Sequence, residues 1–97
     1  MAKGYWVVAY RSISDPDKLA AYGKIASVAI AEAGGRFLAR GGQVTPHEAG
    51  LRERTVLVEF PSYEAAVAAY DSETYKRALE AFDGAAERDL RITEGVD

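Results

Sequence analysis

The order of apolar and polar positions along the chain predicts four β-strands. Tyr5–Tyr10 is aromatic or β-branched at nearly every position, as in a central strand that is covered on both faces. Arg36–Arg40, Thr55–Phe60 and Asp89–Thr93 are shorter runs of strand-forming residues between glycine, proline or polar segments. We therefore expect each of these four segments to form one strand.

Two longer segments have the 3.6-residue spacing of a helix. The first begins at Ser14-Asp15-Pro16, where either Ser14 or Asp15 can cap the helix, and it ends at Gly34-Gly35. The second begins after Ser62 and runs over Tyr63–Tyr70. Asp71-Ser72 interrupts this helix and supplies a new cap, and we expect the helix to resume at Glu73 and to end near Phe82.

The resulting β-α-β-β-α-β order predicts a ferredoxin-like α+β fold. Two helices cover one face of a four-stranded antiparallel sheet, and the other face is open. A chain of 97 residues supports one hydrophobic core, so we expect a single domain over 1–97. The polar segment Gln43–Glu53 is predicted to be a loop.

Strand alternation assigns side chains to the open face of this sheet. From the last three strands we assign Arg36, Leu38, Arg40, Thr55, Leu57, Glu59, Asp89, Arg91 and Thr93. The first strand is ambiguous, because it is apolar on both sides. We place Trp6, Val8 and Tyr10 on the open face, since the small Ala9 suits the crowded helix side, and the opposite assignment is the alternative.

An open face with Leu38, Leu57, Trp6 and Tyr10 is an unusual apolar patch for a monomer. Two such faces packed together form a dimeric α+β barrel, so we predict a homodimer. Glu59 is then buried and needs a cationic neighbour, for which Arg36 and Arg40 are the two candidates.

Composition excludes several kinds of site. The chain has no cysteine, one histidine and a net charge of −3, which argues against thiol chemistry, cysteine-based metal centres and nucleic-acid binding. Its first residues lead into no long apolar run, so we expect no membrane span and a cytoplasmic location. No metal or bound redox cofactor is expected either.

The sequence contains only weak indications of catalytic or ligand-binding residues. His47 is a possible general base, but a solvated loop residue is the favoured interpretation. Arg40 and Glu59 can act together on a ligand, with the pKa of Glu59 raised by burial, or can form an interface ion pair. Trp6, Tyr10, Tyr22 and Tyr75 can line an aromatic pocket or belong to the core.

Short blocks along the whole chain follow a pattern known from one family. They are Lys3-Gly4-Tyr5-Trp6, Asp15-Pro16, Gly34-Gly35-Arg36-Phe37-Leu38-Ala39-Arg40-Gly41-Gly42, Glu59-Phe60-Pro61-Ser62 and Glu94-Gly95. The blocks resemble the domain-of-unknown-function 1330 family. Tyr70-Asp71-Ser72-Glu73-Thr74-Tyr75 is similar to a further motif of that family, with Ala69 in place of its tryptophan. The resemblance implies a dimeric α+β barrel and supplies no activity.

The function we expect is the binding of a small organic molecule in a pocket of each subunit. The alternative is a cofactor-independent enzyme of the oxygenase, isomerase or lyase type, since related dimeric barrels include such enzymes. This analogy rests on fold alone, and a fold does not fix a function.

Overall fold

Seven elements follow one another in the order β-α-β-β-α-α-β, in a computed structural model that describes residues 2–96. They are β1 (Gly4–Ile13), α1 (Pro16–Glu32), β2 (Arg36–Arg40), β3 (Thr55–Phe60), α2 (Tyr63–Tyr70), α3 (Glu73–Phe82) and β4 (Ala86–Glu94). The strands form one sheet in the order β2-β3-β1-β4, with every neighbouring pair antiparallel. The predicted ferredoxin-like fold is confirmed.

The helices begin and end at the residues that the sequence marks. Asp15 caps α1 by accepting a hydrogen bond from the Lys18 backbone N–H, which decides between the two predicted caps. Ser62 and Ser72 cap α2 and α3 in the same way. The predicted interruption at Asp71–Ser72 therefore divides the second helical segment into two helices.

The first strand presents the opposite face to the one we favoured. Trp6, Val8 and Tyr10 lie beneath the helices and are almost fully buried, whereas Val7 and Ala9 lie on the open face. The reason is the alanine content of the helices: their buried positions include Ala26, Ala29, Ala66, Ala69 and Ala78. Small helix residues leave room for large aromatic side chains on the sheet.

A second correction concerns Arg40. The register of β2 against β3 shifts between Phe37 and Ala39, so that Arg40 is paired with the buried residue Val56. This β-bulge reverses the alternation and turns Arg40 from the predicted open face to the helix side. There its guanidinium lies 4.3 Å from the centre of the Phe37 ring.

The open face keeps a smaller apolar patch than predicted. Leu57 and Val7 are paired across β3 and β1, and Val7 is 38% exposed. Ala9 and Ala39 extend the patch, and Leu38 at the bulge is also exposed. None of the helices in residues 2–96 has the length and apolar character needed to cross a membrane.

Candidate functional site

A small chamber of about 50 Å³ lies between α1 and the helix-facing side of the sheet. Most of its wall is aromatic or aliphatic, and three arginines complete it. The residues around it are Trp6, Val8, Tyr10, Leu19, Tyr22, Gly23, Ala26, Ile30, Phe37, Arg40, Arg54, Val56, Val58 and Arg88. An apolar space with a few convergent polar groups is the usual form of a small-molecule site.

A wider groove of about 870 Å³ adjoins the chamber. Leu19, Gly23, Arg40 and Arg54 line both spaces, and they therefore mark the boundary between chamber and groove. The charged side chains along the groove are mostly basic: Lys24, Arg40, Arg52 and Arg54 face a single acidic residue of its lining, Glu53. The groove is thus a cationic surface that leads to an apolar chamber.

Arg88 and two tyrosines form a hydrogen-bonded cluster at the chamber. The hydroxyl oxygens of Tyr22 and Tyr75 are 2.7 Å apart. The guanidinium of Arg88 donates to the Tyr22 hydroxyl at 2.9 Å and to the Tyr75 hydroxyl at 3.0 Å. The same guanidinium lies 4.4 Å from the ring centre of Phe82 and 4.9 Å from that of Tyr22. Ring faces and hydroxyl oxygens together hold this cation in place.

The hydroxyl groups of Tyr75 and Tyr10, which both lie beside Arg88, are protonated at physiological pH. Burial raises the pKa of Tyr75 well above its ordinary value of 10.0, and the opposing effect of the Arg88 charge is smaller. Burial likewise raises the pKa of Tyr10, again against the nearby charge of Arg88. These hydroxyls can donate and accept hydrogen bonds, but they are poor bases at neutral pH.

Gly23 borders both spaces from the middle of α1. A side-chain Cβ at this position would meet Nη2 of Arg40 at 3.7 Å, an ordinary contact, and the backbone does not have a positive φ. A glycine inside a helix costs about 1 kcal/mol relative to alanine. Neither backbone conformation nor packing therefore requires glycine at this position.

A family sequence profile that matches almost the whole chain identifies the family. This profile, described as Domain of unknown function (DUF1330), covers residues 3–96. The chain belongs to this family. The resemblance seen in the sequence blocks is thereby confirmed, and no match is found among curated proteins.

Solved structures similar to this family member share its fold at low sequence identity. A protein of unknown function from Rhodopseudomonas palustris has a TM-score of 0.75 and 19% identity, over 99% of this chain and 84% of that chain. SnoaB, a cofactor-independent oxygenase from Streptomyces nogalater, has a TM-score of 0.64 and 11% identity, over 96% and 92%. A dimeric ferredoxin-like protein of unknown function from Thermobifida fusca has a TM-score of 0.60 and 15% identity, over 95% and 90%.

The structure brings five of the predicted site residues of this DUF1330 protein together. Trp6, Tyr10, Tyr22 and Arg40 line the chamber, and Tyr75 joins them through its hydrogen bonds to Tyr22 and Arg88. Trp6, Tyr10 and Tyr22 are core and pocket wall at once, because they are buried and still border the cavity, whereas Tyr75 belongs to the core alone. The two alternatives given by the sequence therefore do not exclude each other.

Arg36, Glu59 and His47 lie elsewhere. Glu59 is on the open face, where it pairs with Arg36 at 3.1 Å and with Lys3 at 3.4 Å. Arg36, rather than Arg40, is thus its partner. The hydrogen bond from Arg36 holds the pKa of Glu59 below its ordinary value of 4.5, which is opposite to the predicted direction. His47 is exposed in the loop between β2 and β3.

Sequence reasoning missed Arg54 and Arg88. Arg54 directly precedes the predicted third strand, and the last strand was predicted to begin one residue after Arg88. A signal was nevertheless present for Arg88: extending the alternation of Leu90 and Ile92 backwards by one step gives position 88. Among residues 2–96, no three His, Asp or Glu side chains lie close enough together to hold a metal ion.

Proposed function

We propose that this DUF1330 protein is a homodimer that binds a small organic molecule between α1 and the sheet of each subunit. The observation that carries the proposal is the space beside Gly23, where chamber and groove meet. A chamber of about 50 Å³ admits one compact group of a ligand. The rest of the molecule lies in the groove, where Leu19 and Val44 supply apolar contacts.

The dimer is supported by the open face of the sheet. Val7 and Leu57 form an apolar patch there, and covering it removes this surface from water. The ion pairs of Glu59 lie on the same face, so that a buried carboxylate would keep cationic partners. The similar protein from Thermobifida fusca, which is described as dimeric, adds support from the fold.

A cofactor-independent enzyme is the second candidate. SnoaB is described as such an oxygenase and shares the fold. Arg88 and Tyr22, which line the chamber, would stabilise negative charge that forms on a substrate oxygen. Binding is the better supported function, because burial raises the pKa of Tyr75 and keeps it protonated, and the carboxylate of Glu59 lies on the other face of the sheet. Proton abstraction by one of these residues therefore lacks a base at the chamber.

Native mass spectrometry of the purified protein tests the proposal. We expect a dimer of twice the chain mass of 10.5 kDa and, for protein mixed with a panel of small apolar compounds, one bound molecule per subunit. A monomer at micromolar concentration contradicts the dimer. A dimer that binds none of the panel contradicts the ligand site, and rapid turnover of a bound compound favours the enzyme.

A further inference from the structure

Two arginines stand at the boundary between chamber and groove. Arg40 comes from the end of β2 and Arg54 from the residue before β3, and both line the two spaces. Arg40 reaches α1, where its Nη2 donates to the Ser27 hydroxyl at 3.0 Å. Arg54 lies against Gly41, whose missing side chain gives the guanidinium its room. Both side chains therefore face the space that a ligand would use.

Among residues 2–96, no carboxylate forms an ion pair with either of these two cations. Within residues 2–96, ion pairs to acidic side chains are formed by Arg36 and Arg91, which lie on the open face, but not by Arg40, Arg54 or Arg88. Three guanidinium groups thus border one small chamber whose lining contains no acidic residue. Like charges beside a partly enclosed, apolar space repel each other, and an anion placed among them relieves the repulsion.

We infer that Arg40 and Arg54 bind the carboxylate of the ligand at the mouth of the chamber; this rests on the proposed function. The apolar part of the ligand extends from there into the chamber and along the groove. The ligand class is therefore a small monocarboxylic acid with an aliphatic or aromatic body. Its two oxygens match the planar fork of a guanidinium, which donates two parallel hydrogen bonds.

The walls favour a carboxylate over a phosphate group. Trp6, Val8, Phe37 and Val58 are among the many aromatic and aliphatic residues that line the chamber. A doubly charged group beside such walls loses more hydration than a singly charged one, and its desolvation costs more. A ligand with one carboxylate and an apolar body keeps its charge at the mouth of the chamber and buries only its apolar part.

Matched pairs of compounds test this inference. Benzoate, phenylacetate and hexanoate are compared with their amides, which have nearly the same shape and no charge. Binding is followed through the emission of Trp6, since the chain has one tryptophan and it lines the chamber. Inorganic phosphate is tested as a competitor. Concentrations up to about 10 mM cover the millimolar Kd expected for such small contacts.

Variants of the two arginines test whether these side chains bind the carboxylate of the ligand. Arg40→Met and Arg54→Met keep an unbranched, flexible side chain but remove its charge and its hydrogen-bond donors, and Arg77→Met on the exposed side of α3 is the control. Each of the first two is expected to weaken carboxylate binding about tenfold and to leave amide binding unchanged. Arg88 is not replaced, because its hydrogen bonds to Tyr22 and Tyr75 belong to the folded core.

The outcomes separate this inference from the proposed function. Carboxylates that bind at least tenfold more tightly than their amides, and that lose this preference in both variants, support the assignment. Equal binding of acids and amides overturns it and leaves the proposed function intact. Phosphate that competes as well as the carboxylates overturns the choice of anion. If no compound binds up to about 10 mM, both the inference and the proposed function fail.

Discussion

Tyr22 and Tyr75 share a hydrogen bond of 2.7 Å between their hydroxyl groups, which joins α1 to α3 above the sheet. Arg88 on β4 donates to both hydroxyls, so three separate elements meet at this point. Hydrogen bonds in a space with little water are strong when all are made, and an unpaired group there is costly. The cluster therefore joins α1, α3 and β4, and its members Tyr22 and Arg88 supply polar groups to the chamber wall.

Replacing Tyr75 with phenylalanine should destabilise the protein by about 1–3 kcal/mol, because Tyr22 and Arg88 each lose a partner in a buried place. Urea unfolding measures this difference. Tyr63→Phe is the matched control, since Tyr63 is 39% exposed and its loss of a hydroxyl should change stability by less than about 0.5 kcal/mol. Equal effects of the two substitutions would show that the cluster contributes nothing specific.

The ion pair of Glu59 should make stability depend on pH in the acid range. The pKa of Glu59 is lower in the folded protein than its ordinary value of 4.5, so the carboxylate stabilises the fold at neutral pH. This contribution is lost as pH falls below about 4.5 and through the lowered pKa. The stability difference between wild type and Glu59→Gln should be largest at neutral pH and should shrink on acidification.

Urea unfolding at a series of pH values measures this difference. Glu80→Gln, which makes the same substitution at an exposed position of α3, is the control. A difference for Glu59→Gln that stays constant or grows as pH falls would contradict the ion pair.

The open face should be the dimer interface. Val7→Lys places a charge in the apolar patch of this face, where burial of an unpaired ammonium group costs several kcal/mol, so the variant should be monomeric. Val28→Lys is the control, because Val28 is 51% exposed on α1, away from the sheet. Sedimentation velocity at micromolar concentration distinguishes the two states. Dimeric Val7→Lys protein would place the interface elsewhere.

Gly23→Ala should stabilise the fold by about 0.5–1 kcal/mol, because alanine is the better helix former and its Cβ meets no close neighbour. Urea unfolding measures the gain. A loss of stability would mean that packing at this position requires glycine.

The sequence was sufficient to predict the elements, because its caps and breaks are local. Asp15-Pro16, Gly34-Gly35 and Asp71-Ser72 act on the neighbouring backbone, and the structure has helix boundaries at all three. Which face of a strand is buried depends on residues that are distant in the sequence, so it was harder to predict. Trp6 faces α2, where its indole N–H donates to the Ala66 carbonyl at 2.8 Å, and the sequence of β1 alone does not contain this information.

The candidate site was predicted in part for the same reason. Tyr22 follows from helical periodicity and Tyr75 from its position in α3, so their approach to the sheet could be anticipated. The place of Arg40 depends on a bulge that strict alternation does not include. Arg54 and Arg88 each lie one residue before a strand predicted from the sequence, and such boundaries are the least accurate part of a prediction.

A titration of wild-type and Gly23→Leu protein with phenylacetate and phenylacetamide, followed by Trp6 emission, tests the ligand site most directly. Leucine extends the α1 side chain into the space that chamber and groove share. We expect saturable binding of at least one compound to wild type, with one molecule per subunit, and no binding to the folded variant. Equal binding to both proteins, or to neither, would contradict a ligand site between α1 and the sheet.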